Sequence, residues 1–283
     1  MVDFSQYRDK AVLVTGGANG LGLALVESFA NAGARVFVAD IVEDSVNAVV
    51  ARLSASGVVC IGSKCDVTRA DEVEAALDKA WEAIGPIDLL CNNAGVVKPG
   101  ALLEASQEDI NWQFDVNVWS ILNMTKAYVK RLRQSSRAGY ILITASEHSL
   151  SYPSYTKEFL PQVYNMSKHA VLSMAVLLRE ELKNDKVGIS VLCPGAIATN
   201  IAQNSATIRS VKFGASAPAE GSDVSMEALD LLAQRTKSAE EIVDIAVDGL
   251  NKQLFYIPTH EHSREDVDIR YRELQSSFDS LSL

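Results

Sequence analysis

The chain has 283 residues, 48% of them apolar, and a formal net charge of −10. That length and apolar fraction suit one α/β unit with a sizeable core, read here as a single domain over 1–283. The acidic balance repels phosphate backbones and argues against nucleic acid as a partner; no run of 18 or more apolar residues suggests a membrane span.

The first ten residues, MVDFSQYRDK, hold no apolar signal-peptide core, so the expected location is cytoplasmic. Apolar, β-branched runs follow at 10–15, 35–40, 58–62, 87–91, 139–145, 187–193 and 253–258. Helical spacing fills 20–32, 43–56, 69–84, 106–133, 163–184 and 238–250. Parallel strands need crossover connections, so this alternation predicts an α/β fold, a parallel sheet of about seven strands with helices on both faces. Ser106 with Asp109 three residues on reads as a helix cap. The stretch of about 199–237 lacks a strand and is rich in small residues, which predicts a flexible lid. Its apolar anchors would be Ile201, Ile208, Val211, Phe213, Met226 and Leu229, with Ala202, Ser205, Ala206, Gly214, Ala215 and Ser216 loosening it. The charged extension of about 259–283 predicts a helix near 264–280. Cys60, Cys65, Cys91 and Cys193 form no CxxC pair and read as reduced, buried thiols. No metal site is expected, and His260-Glu261-His262 reads as part of a solvated tail.

Just after the first strand stands TGGANGLG, with Gly16, Gly20 and Gly22. Glycine admits positive φ and lets a phosphate approach the backbone, while the following helix N-terminus presents free N–H groups and a positive dipole end. The second strand ends in Asp40, placed to accept hydrogen bonds from a ribose diol and to repel a 2′-phosphate. Asn19 precedes Gly20 and Ile41 follows Asp40, so no cation is visible for that phosphate. The cofactor expected is therefore NAD rather than NADP.

The ordered series TGGANGLG, Cys65-Asp66-Val67, NNAG at 92–95, Asn117 in FDVNVWS, Ser146 in ILITASE, YNMSK at 164–168 and PGAIAT at 194–199 resembles the short-chain dehydrogenase/reductase family. The resemblance implies a Rossmann-type, doubly wound sheet. It implies a glycine loop of Gly16, Asn19, Gly20, Leu21 and Gly22 around the pyrophosphate, and Asp66 and Val67 beside the adenine. It sets Asn93, Ala94 and Gly95 next to the cofactor, and Pro194, Gly195, Ile197 and Thr199 around the nicotinamide. It makes Asn117, Ser146, Tyr164 and Lys168 the catalytic set, with Lys168 also on the nicotinamide ribose and Asn117 anchoring a proton-relay water.

Tyr164 and Lys168 are four apart on a predicted helix and share a face. A free tyrosine titrates near 10, and lowering it by two to three units takes about 3–4 kcal/mol. One cation about 4 Å away supplies that at an effective dielectric of about 20. The expectation is an alcohol dehydrogenase in which Tyr164 exchanges the hydroxyl proton and Ser146 holds the substrate oxygen. The alternatives are an NADP-dependent carbonyl reductase and a non-catalytic nucleotide sensor.

Two departures from the family stand out. Ser146 and Tyr164 are 18 positions apart, and the extra segment 151–163 is aromatic. His148, Tyr155 and Phe159 are therefore candidate substrate contacts, for an apolar or aromatic alcohol or ketone. The C-terminal extension is atypical too. Helices 106–133 and 163–184 carry apolar residues on more faces than one core needs, including Trp119, Leu122, Val171, Met174 and Leu178, and the resemblance implies that they pair with their copies across a two-fold axis, so a homodimer or homotetramer is expected.

Overall fold

The computed structural model describes residues 2–214 and 224–281. Seven parallel strands form one sheet: β1 Ala11–Thr15, β2 Arg35–Asp40, β3 Cys60–Lys64, β4 Leu89–Asn92, β5 Gly139–Thr144, β6 Val187–Cys193 and β7 Tyr256–Pro258. Their order is β3-β2-β1-β4-β5-β6-β7. The chain starts in the middle, runs outward one way, then returns to build the other half. The connections that leave the carboxyl ends of β1 and β4 therefore part to opposite faces of the sheet, which opens a crevice there.

Successive strand residues face opposite sides, and both sides are apolar because helices cover both. Val12, Val14, Val36, Val38, Leu142 and Leu192 pack with α1 Gly20–Asn31, α2 Glu43–Ala55 and α9 Ala239–Asn251. Leu13, Phe37, Leu90, Ile141, Ile143 and Val191 pack with α3 Ala70–Ile84, α5 Ser120–Ser135 and α6 Gln162–Glu181. Truncating one of the fully buried members, such as Leu77 or Ile141, to alanine carries a cost of about 2–5 kcal/mol.

Three expectations change. The helix expected over 106–133 is α4 Gln107–Phe114, a π-helical turn Asp115–Trp119, and α5. The wider turn centres on Asn117, a fully buried side chain that takes Val96 N–H at 2.8 Å and donates to Val96 O at 2.9 Å. The expected lid is largely helical, as α7 Ile201–Phe213 and α8 Met226–Arg235; Ala215 and Ser216 lie outside the described residues. Of the six expected anchors only Ile208 is half-buried; Ile201, Phe213 and Leu229 are exposed, and Val211 and Met226 point to solvent. Polar groups hold α7 instead. Ser205 Oγ accepts from Val97 N at 3.0 Å, and the buried Arg209 pairs with Asp109 and Glu108. Finally, Val171 and Leu178 belong to the monomer core, leaving Trp119, Met166 and Leu177 as exposed apolar residues of the two helices named for assembly.

The expected cap is present, with Ser106 Oγ accepting from Asp109 N at 3.1 Å. All four cysteines are buried free thiols. α10 Ser263–Ser280 covers the expected terminal helix.

Candidate active site

A cavity of about 720 Å³ runs along the carboxyl ends of the strands. Each strand hands it a few residues: Gly16 after β1, Asp40 and Ile41 at β2, Asp66 and Val67 after β3, Asn93–Gly95 after β4, Ser146 after β5, and Pro194–Ile197 after β6. Asn19, Gly20, Leu21, Gly22, Thr199, Tyr164, Lys168, His148, Tyr155 and Phe159 also line it. Asn117 does not; its side chain lies behind the wall on Val96 and on Ser167 Oγ at 3.0 Å.

The glycine turn needs its glycines for two reasons. Gly16 has φ +62°, and a Cβ there would come 2.9 Å from Ala94 Cα. A Cβ on Gly22 would meet Gly16 O at 2.0 Å, so α1 starts pressed against the turn. Thr15 Oγ1 accepts from Asn93 N at 3.0 Å and Ala94 N at 3.1 Å, and so ties the β1 and β4 ends together.

Asp40 is buried. Its two carboxylate oxygens accept Ala18 N–H at 3.0 Å and Val42 N–H at 3.1 Å. Burial is the leading influence and raises its pKa above the ordinary aspartate value, with those backbone bonds opposing. Each oxygen keeps a lone pair for a further donor. Among the described residues, the lysines and arginines lining the cavity are Lys168 and Lys212, and neither bonds Asp40. Asp66 closes its own turn, accepting from Thr68 N at 3.0 Å and Thr68 Oγ1 at 2.7 Å.

At the other end, Ser146 follows β5 and its hydroxyl accepts from His148 N at 3.2 Å. Tyr164 opens to the cavity and is half-buried, and desolvation pushes its phenol up to about 12. Lys168 is buried, donates to Thr144 O at 3.0 Å, and is pushed down to about 8 by desolvation. Its ammonium stands 5.6 Å from the centre of the Tyr164 ring. Burial works against the lowering expected from Lys168, whose ammonium turns toward the Thr144 carbonyl.

The residues fit a nicotinamide dinucleotide. The glycine turn leaves no space for side chains at the cradle, Asp40 offers free lone pairs to a diol, and Lys168 holds a buried ammonium with one bonded acceptor among the described residues.

His148 is a third element. Asn165 Nδ2 donates to Ser151 O at 2.9 Å, so its second N–H points to His148 Nδ1 at 3.1 Å. The ring proton is then on Nε2. Burial first, then His169, pushes His148 down to about 4, so it stays neutral.

The solvated-tail reading of 260–262 holds for Glu261 and fails for the two histidines. His260 is buried, with Nδ1 3.1 Å from Gly195 N and 2.7 Å from Thr259 Oγ1. His262 Nε2 and Ser263 Oγ reach the buried Glu147 carboxylate at 3.0 and 2.8 Å, and Tyr155 Oη donates to its other oxygen. The charged sequence around these residues concealed this, because periodicity reports which face of an element is buried and not which loop it meets. Glu147 was equally hidden, although its place directly after Ser146 was a signal. Among the described residues, no group of three or more His, Cys, Asp or Glu side chains is placed to hold a metal.

A parallel sheet with a nucleotide crevice at its topological switch, and a Ser, Tyr and Lys gathered at one end, defines an α/β oxidoreductase of the nicotinamide-using class. The chain belongs to the short chain dehydrogenase family, whose profile matches residues 10–209. It is 33% identical over 267 residues to 1-deoxy-11-beta-hydroxypentalenate dehydrogenase of Streptomyces exfoliatus, covering 93% of this chain and 86% of that protein. A short-chain dehydrogenase/reductase of Burkholderia phymatum in complex with NAD superposes with a TM-score of 0.85 at 30% identity, over 96% of each chain. An actinorhodin polyketide ketoreductase variant with NADPH gives 0.73 at 25% identity, over 91% of this chain and 96% of that one. The family uses nicotinamide cofactors, and it acts on small molecules.

Proposed function

We propose that the protein is an NAD-dependent dehydrogenase of a secondary alcohol with an apolar body, working as one cytoplasmic domain. The observation that carries this reading is the opening of Tyr164 and Ser146 onto the same cavity, above the buried Lys168. Ser146 orients the substrate oxygen. Tyr164 Oη takes the hydroxyl proton as the carbinol C–H bond releases its hydride, or returns a proton to the oxygen in the reverse direction. Bound oxidised nicotinamide supplies the hydride acceptor and a positive charge. Lys168 holds the nicotinamide ribose and steadies the phenolate; the buried Asn117 keeps the Val96 segment in place behind them. Gly16, Asn19, Gly20, Leu21 and Gly22 cradle the pyrophosphate, and Asp66 and Val67 flank the adenine. Asn93, Ala94 and Gly95 back the cofactor, while Pro194, Gly195, Ile197 and Thr199 surround the nicotinamide. Asp40 takes the adenosine ribose hydroxyls, which favours NAD.

The Streptomyces relative is named for a hydroxylated acid, and Tyr155, Phe159 and Trp112 line the cavity with His148, whose ring centre lies 5.6 Å from that of Tyr164. The first agrees with an alcohol, the second with an apolar body. The NADPH-bound ketoreductase neighbour supports a second reading, reduction of a ketone with NADP. Nicotinamide absorbance on a panel of secondary alcohols and ketones, each with NAD and NADP, separates the two. Oxidation with NAD is expected to be the faster activity, and turnover of ketones with NADPH alone would select the second reading.

The exposed Trp119, Met166 and Leu177 support assembly into a homodimer or homotetramer. Light scattering is expected to show at least a dimer at micromolar concentration, and Leu177→Glu to weaken it. A monomeric wild type would refute the assembly.

A further inference from the structure

Hydride transfer makes no use of the sequence HEHS at 260–263, yet His260 and Ser263 are buried and His262 is mostly so. His262 and Ser263 share a target, Glu147, the residue directly after Ser146. A carboxylate that is 1% exposed needs its lone pairs filled. Three donors fill them: Tyr155 Oη on one oxygen, His262 Nε2 and Ser263 Oγ on the other. Among the described residues no Lys or Arg pairs with it.

The C-terminal segment holds the next loop as well. Gly195 N–H donates to His260 Nδ1, and a Cβ on Gly195 would come 2.8 Å from the His260 ring and 3.0 Å from Glu147 Oε2. Farther along, Arg270 Nη1 donates to Leu150 O at 3.0 Å and lies 2.7 Å from His169 Nε2. One short segment therefore ties together the loop after β5, the turn after β6 and, through Tyr155, the aromatic insertion. The Arg235 guanidinium of α8 lies 4.7 Å above the Tyr155 ring, which joins the second lid helix to the same group.

We propose that Glu147 and His260–Ser263 form a clasp that positions Tyr155, and that the C-terminal segment thereby determines which substrates the cavity accepts. The proposal rests on the reading that this cavity takes an alcohol. The geometry explains why a buried carboxylate is kept where an apolar residue would be simpler. Three donors from two segments, far apart in the chain, converge on it, so it holds one arrangement of the wall and excludes others. Tyr155 turns its hydroxyl into the clasp and leaves its ring to line the cavity. Without the clasp the ring is free to swing, and the wall no longer discriminates by size. Glu147, His262 and Ser263 are positioning residues, since they act through Tyr155.

The test uses the full chain and four variants: His262→Leu, His262→Gln, Ser263→Ala and Tyr155→Phe. Glutamine keeps an N–H donor where leucine has none. The first readout is amide hydrogen exchange over 147–159. His262→Leu is expected to speed it roughly tenfold or more, the scale of a lost bond to a buried charge, with His262→Gln within about threefold of wild type. If His262→Leu does not fold, Ser263→Ala gives the same reading at smaller amplitude.

The second readout is the ratio of KM for 1-(2-naphthyl)ethanol to KM for cyclohexanol, measured with NAD. It is expected to shift by about fivefold or more in His262→Leu and Tyr155→Phe, to be restored in His262→Gln, and to exceed any change in kcat. Unchanged exchange in the folded leucine and alanine variants overturns the clasp. Faster exchange with an unchanged KM ratio overturns its role in selection. If wild type oxidises neither alcohol, the dehydrogenase reading is what fails, and exchange alone decides the clasp.

Discussion

The two ends of the cavity are built differently. At the Asp40 end the walls are strand ends and the turns that leave them, and the polar side chains there are bonded to backbone nearby: Asp40 to Ala18 and Val42, Asp66 to Thr68. At the Tyr164 end the walls include α7, α8 and the 151–163 insertion, with the C-terminal segment bonded to Glu147 behind them. They are held by side chains meeting across long stretches of chain, as in Arg209 with Asp109 or His262 with Glu147. A site bonded to its own sheet has few ways to vary. A site assembled from segments outside the sheet can change substrate without disturbing the cofactor.

The largest test of this division falls on Tyr164. Tyr164→Phe keeps the ring and removes the hydroxyl proposed to exchange the proton. Turnover is expected to fall at least ~10²-fold while NAD affinity, measured by fluorescence titration, stays within a factor of about two. Near-wild-type turnover removes Tyr164 from the mechanism. A loss confined to NAD affinity would show that the two ends are not separable.

A smaller effect belongs to the Asp40 end. Asp40→Ala with Ile41→Arg removes the repelling carboxylate and adds a phosphate partner. The ratio of kcat/KM for NAD to that for NADP is expected to drop by about tenfold or more, with the preference among alcohols unchanged. Equal use of both cofactors by wild type would overturn the role given to Asp40.

The same division governs how much could be read from the sequence. The sheet, its helices and the glycine turn were legible because they depend on local periodicity and on glycine chemistry next to a strand. Gly16 and Asp40 are 24 positions apart, but each stands at the end of its own strand, which is why the motif could be read one strand at a time. The π-helical turn at Asn117 was not legible, because it depends on hydrogen bonds to Val96, 21 residues earlier. Nor were the lid's helices. Small, polar residues lower helix propensity, and what holds α7 is a buried ion pair whose partners are 100 residues apart. The clasp was least legible of all, with 115 residues between Glu147 and His262.

The lid gives a more modest prediction. Residues 196–198 pair with 237, Ala198 N donating to Lys237 O at 2.9 Å and Lys237 N to Ala196 O at 3.1 Å, so the ends of the excursion are tied together. Between them α7 offers Ile201 and Ile208 to the cavity. Hydrogen exchange over 201–213 is expected to slow about threefold to tenfold with NAD and a ketone inhibitor present, as bound ligand gives these residues more to bury. Exchange over 11–15 is expected to stay constant. Equal protection of α7 in both samples would make it a fixed wall rather than a lid.

The smallest effect concerns acid. His148 and His260 are both pushed down to about 4 from an ordinary value of 6.5, chiefly by burial. Between those values the unfolded chain binds protons that the folded chain refuses. Stability therefore falls as pH drops from 6.5 toward 4, by up to about 1.4 kcal/mol per pH unit for each such histidine. Asp40 works in the opposite direction, because its raised pKa lets the folded chain take a proton first. The absolute curve mixes these effects, so variants isolate them. Urea midpoints at pH 6.5 and 4.5 are expected to differ less in His148→Gln and in His260→Gln than in wild type, since glutamine binds no proton in either state. Both histidines belong to the Tyr164 end, His148 beside Tyr164 and His260 in the clasp, so acid should loosen that end first. If both variants lose as much stability as wild type over this interval, the histidines are not kept neutral by burial, and the Tyr164 end is no more acid-sensitive than the Asp40 end.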